Sequence, residues 1–143
     1  MSNDADVIER VIDIAASPET VFTLLTDPRE YVKWKGRRAE LDPRSGGLFH
    51  VSFKDAAVRG KYVEVVPNRR VVFTWGWEAP DAAVGPGGST VEIDLEPRGT
   101  GTRLHLVHRG LPAAELASHT EGWDYFLPRL TDVAEGRTVP TEI

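Results

Sequence analysis

Residues 111–135 read LPAAELASHTEGWDYFLPRLTDVAE, and the spacing of apolar positions in this stretch decides the fold. Leu116, Thr120, Trp123, Leu127, Leu130 and Ala134 recur at intervals of four, three, four, three and four. In a helix that spacing places them on one stripe, which Phe126 and Val133 widen. Glu121, Asp124 and Arg129 fall on the opposite, solvent face. Pro128 interrupts the pattern on the polar side. It cannot donate to the carbonyl of Asp124, so it is expected to bend or break the helix, a bend curving it around its partner with water on the freed carbonyl.

Working outward from this helix, nearly everything upstream alternates with a period of two and needs an apolar lid. Val7 to Ile14 is a first strand with Ile8, Ile12 and Ile14 inward. Ser17-Pro18-Glu19 starts a short helix, because serine can accept free N–H groups, proline suits the first turn and glutamate complements the dipole. Thr26-Asp27-Pro28 ends it and opens a second short helix carrying Tyr31 and Trp34, which stops near Gly36. Arg38 to Leu41 is a weak strand. Leu48 to Phe53 puts Phe49, Val51 and Phe53 on one face, with His50 and Ser52 on the other. Val58 to Val66 is a strand of ambiguous facing. Arg70 to Glu78 carries Val71, Phe73, Trp75 and Trp77 on one face. Residues 79–88 (APDAAVGPGG) read as a long loop. Val91, Ile93 and Leu95, then Leu104, Leu106 and His108, mark two more alternating strands.

The order is strand, two short helices, six strands, long helix. Short turns between successive strands imply antiparallel pairing, so the class is α+β: a strongly bent antiparallel sheet gripping one helix. At 143 residues the chain is read as one domain, with an ordered core over about 7–136 and a tail over 137–143, loose from Val139 to Ile143.

Composition narrows the function. The 27% charged and 41% hydrophobic residues fit a soluble globular chain. No apolar run approaches the roughly 20 residues of a membrane helix, and the acidic start MSNDADVIER is not read as a secretory signal. Together with the absence of cysteine, these features make a cytoplasmic location the expectation. Acids outnumber bases, 22 to 17. The basic runs Lys33-Trp34-Lys35-Gly36-Arg37-Arg38 and Arg69-Arg70 are short and lie near turns. They read as solvated loop charge, so nucleic acid is not an expected partner. His105 and His108 form H-x-x-H, but an odd separation on a strand puts them on opposite faces. His119 borders the helix stripe and no third ligand lies nearby, so no metal is expected. No nucleophile motif or phosphate-cradling loop is visible, and no cofactor is expected.

Ser17-Pro18-Glu19 with Val21-Phe22, Thr26-Asp27-Pro28 before Trp34, Gly46-Gly47-x-Phe49, Gly60-x-Tyr62-x-Glu64-Val65, Arg70-Val71-Val72-Phe73-Thr74-Trp75 and Gly122-Trp123 occur in that order. Together they resemble the activator-of-heat-shock-ATPase homologue family of the START-like, or SRPBCC, superfamily, over about Val7 to Glu135. The resemblance implies the helix-grip fold, a seven-stranded antiparallel sheet around a C-terminal helix with a cavity between them. It also implies ligands drawn from lipids, sterols, polyketides and other hydrophobic molecules, and a few members that catalyse cyclisation. The name-giving members stimulate the ATPase of the ninety-kilodalton heat-shock chaperone.

Phe49, Phe53, Phe73, Trp75 and Trp77 on the sheet, with Trp123 and Leu127 on the helix, would converge in such a fold. They either fill the core or line a cavity. Tryptophans suit an amphipathic cavity because a buried indole N–H wants a partner. Tyr62, Glu64 and His108 are the polar candidates, and Trp34 borders the expected mouth, as gate or as ordinary packing. Glu64 on an inward face needs a partner or a ligand. The first expectation is non-enzymatic binding of a small hydrophobic or amphipathic molecule, oriented by His108 or Glu64. The second is an interaction module activating a heat-shock chaperone, with a filled interior and an exposed patch. The third is a cyclase- or dehydratase-like enzyme, which needs His108 and Glu64 within proton-transfer reach of one ligand. A homodimer through a strand edge or the outer sheet face is compatible with all three.

Overall fold

The computed structural model describes residues 7–140. Seven strands form one curved antiparallel sheet: β1 (Ile8–Ile14), β2 (Arg38–Leu41), β3 (Leu48–Ser52), β4 (Ala57–Val66), β5 (Arg70–Trp75), β6 (Ser89–Arg98) and β7 (Gly101–Arg109). Their order is β1-β7-β6-β5-β4-β3-β2, so β2 through β7 are a meander and β1 closes on the last strand. Helices α1 (Pro18–Thr26) and α2 (Pro28–Tyr31) follow β1, and α3 (Leu116–Ala134) lies at the C-terminal side. None of the described helices is long and apolar enough to cross a membrane.

Local chemistry sets these boundaries. Ser17 Oγ accepts the Thr20 N–H at 3.2 Å, and Pro18 occupies the first turn of α1. Asp27 ends α1 and caps α2, its carboxylate accepting from the N–H groups of Arg29 and Glu30 at 2.9 and 3.2 Å. Gly36, at φ 80°, takes the chain out of the turn after α2 through a conformation that disfavours side chains.

The ambiguous facing of β4 has a physical cause. Its register against β5 shifts between Tyr62 and Glu64, the mark of a bulge. Val58, Gly60 and Tyr62 point inward before it, and Val65 packs on the core after it. No single alternation runs through the strand. Gly60 is needed where it stands, because a Cβ there would lie 1.9 Å from the carbonyl oxygen of Thr74.

The expected strand from Arg70 to Glu78 is shorter than its pattern. β5 ends at Trp75, and Trp77 is held by a single bridge to Val58 and by its N–H donating to Val84 O at 2.7 Å. The long C-terminal helix begins at Leu116, the first residue of its apolar stripe, and not at Leu111 where the stretch read as helix starts; a 3-10 turn over Ala113–Glu115 precedes it. It continues past Pro128, which faces solvent as the pattern requires, and does not break there.

Arg129 corrects the reading of the helix's polar face. It is buried, not solvated: its Nε donates to Trp34 O at 2.9 Å and its Nη2 to Pro140 O at 2.6 Å. The second bond ties down Pro140, inside the segment expected to be a loose tail. The last three residues of that tail (141–143) and most of the acidic start (1–6) lie outside the described residues.

Candidate functional site

The inner face of the sheet and the stripe of α3 meet in a core that is closed over most of its length and open at one end. Phe49 and Phe73 stack at 4.1 Å in the closed part, with Tyr62 edge-on to both. Leu127 and Leu130 seal it from the helix side. At the open end, the β3–β4 turn and the first half of α3 stand apart around a cleft of about 560 Å³. Its apolar walls are Phe53, Trp75, Trp77, Trp123 and Phe126, and its polar groups are Lys35, Lys54, Asp55, Glu115, Ser118 and His119.

Lys35 is the unexpected member. Its basic neighbours in the sequence suggest solvated charge, yet it is only 3% exposed. The turn after α2 is fixed from both sides: Trp34 Nε1 donates to Leu24 O at 2.8 Å, and Arg129 holds the Trp34 carbonyl. The Lys35 amine is thereby carried into the wall of the cleft. Its Nζ lies 4.1 Å from the Trp123 ring centre, 4.2 Å from Trp75 and 5.1 Å from Phe126. Among the described residues no carboxylate or other acceptor bonds it, so ring faces are its only compensation. Burial pulls its pKa down from 10.5 to about 7.

The histidines are committed elsewhere. Trp123 Nε1 donates to His108 Nδ1 at 3.0 Å, and an indole can only donate. The imidazole proton therefore sits on Nε2 and reaches Ser89 Oγ at 2.8 Å; that hydroxyl in turn donates to Trp75 O at 2.9 Å. This chain fixes the Trp123 and Trp75 walls relative to each other. Burial first, then the nearby His119 and Lys35, lower the His108 pKa to about 3, so the ring stays neutral. His119 repeats the pattern: its Nε2 accepts from Trp77 Nε1 at 3.1 Å, and its Nδ1–H donates to Glu115 O at 2.8 Å. All four ring nitrogens are thus engaged within the protein.

The residues singled out from the sequence divide into three groups. Phe53, Trp75, Trp77 and Trp123 come together around the cleft. Phe49, Tyr62, Phe73 and Leu127 are core, and Trp34 joins them as helix packing, not as a gate, because it is buried and its indole is bonded to α1. His108 is fully buried behind the tryptophans, where it positions them.

Glu64 is a correction. The β4 bulge turns it to the outer face, where it is exposed and bonds Arg70 Nε at 2.8 Å. Glu92 and Asp94 reach the same guanidinium, which raises the Arg70 pKa well above its ordinary value. Glu64 and His108 therefore lie on opposite faces of the sheet and cannot share a proton through one ligand. His105 also faces outward, bonded to Glu9 at 2.5 Å, as its odd spacing from His108 requires.

Two cleft residues that the sequence reading did not place there carried a signal. Tyr31, Trp34 and Lys35 have the i, i+3, i+4 spacing of a helix face, and His119, Trp123 and Phe126 have i, i+4, i+7. Charge on Lys35 and polarity of His119 outweighed the spacing.

Comparison with known proteins follows this architecture closely. Residues 15–135 match the family described as Activator of Hsp90 ATPase homolog 1-like protein. The human "Activator of 90 kDa heat shock protein ATPase homolog 1" is 26% identical over 111 residues, which is 77% of this chain. The chain spans only about a third of that relative, 31%. An AHSA1-like protein from Rhizobium etli, solved in solution, is 45% identical with a TM-score of 0.74, covering 94% of this chain and 85% of its own. DynU16, from the dynemicin biosynthetic locus, is 26% identical with a TM-score of 0.81, covering 96% of this chain and 50% of its own.

Proposed function

The chain belongs to the Activator of Hsp90 ATPase homolog 1-like family, and from that premise we propose that it binds a small, planar, largely apolar molecule in the cleft between the sheet and α3, without chemistry. The observation that carries this reading is a 560 Å³ cleft with three indoles in its walls. Pockets for small molecules are concave, mostly apolar and furnished with a few placed polar groups, in this size range. Binding would bury ring faces of the ligand against Trp75, Trp77 and Trp123, at about 25 cal/mol per Å² of apolar surface removed from water. The likeness to DynU16, from the dynemicin biosynthetic locus, is in keeping with a small-molecule ligand.

Titration of the intrinsic tryptophan fluorescence with fatty acids, sterols and planar aromatics tests this. A saturable change is expected for planar aromatics, altered in Trp123→Phe and Trp75→Phe. A flat response across the panel, with the melting temperature also unmoved, would overturn the reading.

The match to the human activator favours a second reading, stimulation of a heat-shock chaperone ATPase. Its direct assay is chaperone ATP turnover with and without this protein. Exposed large apolar side chains, such as Val11, Val63, Val66 and Tyr125, are spread over β1, β4 and α3, which is less than the contiguous patch a docking surface needs.

A further inference from the structure

We propose that the cleft is an acid-selective site, taking a planar apolar molecule that carries one carboxylate, and that Lys35 is the group that holds the carboxylate. The proposal rests on the reading of the cleft as a ligand site and adds the chemical class of the ligand.

Three observations carry it. First, a side chain that is normally solvated is 3% exposed, in the wall of an open cleft, with no acceptor for its three donors among the described residues. A buried amine so placed is costly unless something compensates it, and ring faces satisfy it only in part. Second, a further donor in the same wall, Trp75 Nε1, is also buried without a partner among the described residues. The site therefore offers two buried hydrogen-bond donors, neither bound to an acceptor among the described residues. Third, the ring cage formed by Trp75, Trp123 and Phe126 would suit a ligand ammonium, but Lys35 already occupies it. A cationic ligand meets a like charge there, and a neutral amide gains a single uncharged acceptor. A carboxylate gains a charge-assisted bond, worth roughly 10- to 100-fold in affinity over the uncharged equivalent.

The other groups around the amine do not reverse this preference. Lys54 and Asp55 from the β3–β4 turn are exposed and of opposite sign. Glu115 ahead of α3 is half-buried and forms no ion pair with Lys35. His119 on α3 and His108 on β7 have their ring nitrogens engaged as described.

Calorimetric titration with three matched probes at pH 6.5 tests the proposal: 2-naphthoate, 2-naphthamide and 2-naphthylmethylammonium. The acid is expected to bind the native protein at least about ten-fold more tightly than the amide, with the ammonium weakest. In Lys35→Met the acid and the amide are expected to bind within about three-fold of each other, the acid losing the larger share of its native affinity. Equal binding of acid and amide to the native protein, or a preference that survives Lys35→Met, would overturn the role of Lys35 and leave the cleft reading standing. No binding by any of the three would overturn the cleft reading and the proposal with it.

Discussion

Conformational stability is expected to rise as the pH is taken from 7 to 10, by an amount on the order of 3 kcal/mol, and then to fall. Lys35 titrates at about 7 in the folded chain, against 10.5 for a free lysine. Between those values the unfolded chain binds more protons than the folded one, so stability increases with pH. The contribution is complete above the unfolded pKa and is lost as the pH falls through the folded one. A shift of this size from burial alone corresponds to about 5 kcal/mol; the π faces of Trp75 and Trp123 favour the charged form by about 2 kcal/mol, which moves the folded value back towards that of a free lysine and leaves a rise on the order of 3 kcal/mol. Above pH 10 the buried tyrosines act in the other direction. Burial raises the pKa of both Tyr31 and Tyr62, so deprotonation favours the unfolded chain there. Urea unfolding at intervals from pH 6 to 11 reads this directly. Lys35→Met should remove the rise between 7 and 10 and be the more stable protein at pH 7. A native profile that is flat over that window, or a rise that persists in the variant, would show that the buried amine is not its source.

The second large effect is expected at His108. His108→Leu keeps the side-chain volume roughly constant but leaves the Trp123 indole N–H without its acceptor and removes the donor to Ser89. A buried donor left unpaired costs about 1–3 kcal/mol, and the loss of the second bond brings the total to about 3 kcal/mol. The variant should also lose part of the acid sensitivity of the native chain. His108 is held neutral to about pH 3, so its stabilising effect is present above the free-histidine value of 6.5 and lost as the pH falls towards 3. Denaturation at pH 7 and pH 4.5 checks both points. A loss of less than about 0.5 kcal/mol at pH 7 would mean that the relay from Trp123 to Ser89 does not hold the cleft wall in place.

The architecture was legible because it rests on periodicity. The intervals in α3, the alternation in β1, β6 and β7, and the capping residues Ser17 and Asp27 each state a local preference that the packing then satisfies. The pattern misleads where one residue breaks a period and where charge does not track exposure. The bulge in β4 shifts Glu64 outward with no signal in its composition. Lys35 and Arg129 were assigned to water by charge, but both have long apolar stems and partners that lie far away in sequence: Trp75 and Trp123 for one, the Trp34 carbonyl for the other. The aromatic set was recognised as a group, yet its division into core and cleft depends on where β5 ends and α3 begins, and no spacing encodes that.

The chain has four tryptophans, and only Trp34 lies away from the cleft. The central claim is therefore tested most directly by following the four indole N–H resonances of the ¹⁵N-labelled protein as 2-naphthoate is added. A ligand in the cleft should shift the signals of Trp75, Trp77 and Trp123 along one saturable curve and leave Trp34 unmoved. Absence of any shift, or movement of Trp34 together with the rest, would contradict a ligand site between the sheet and α3.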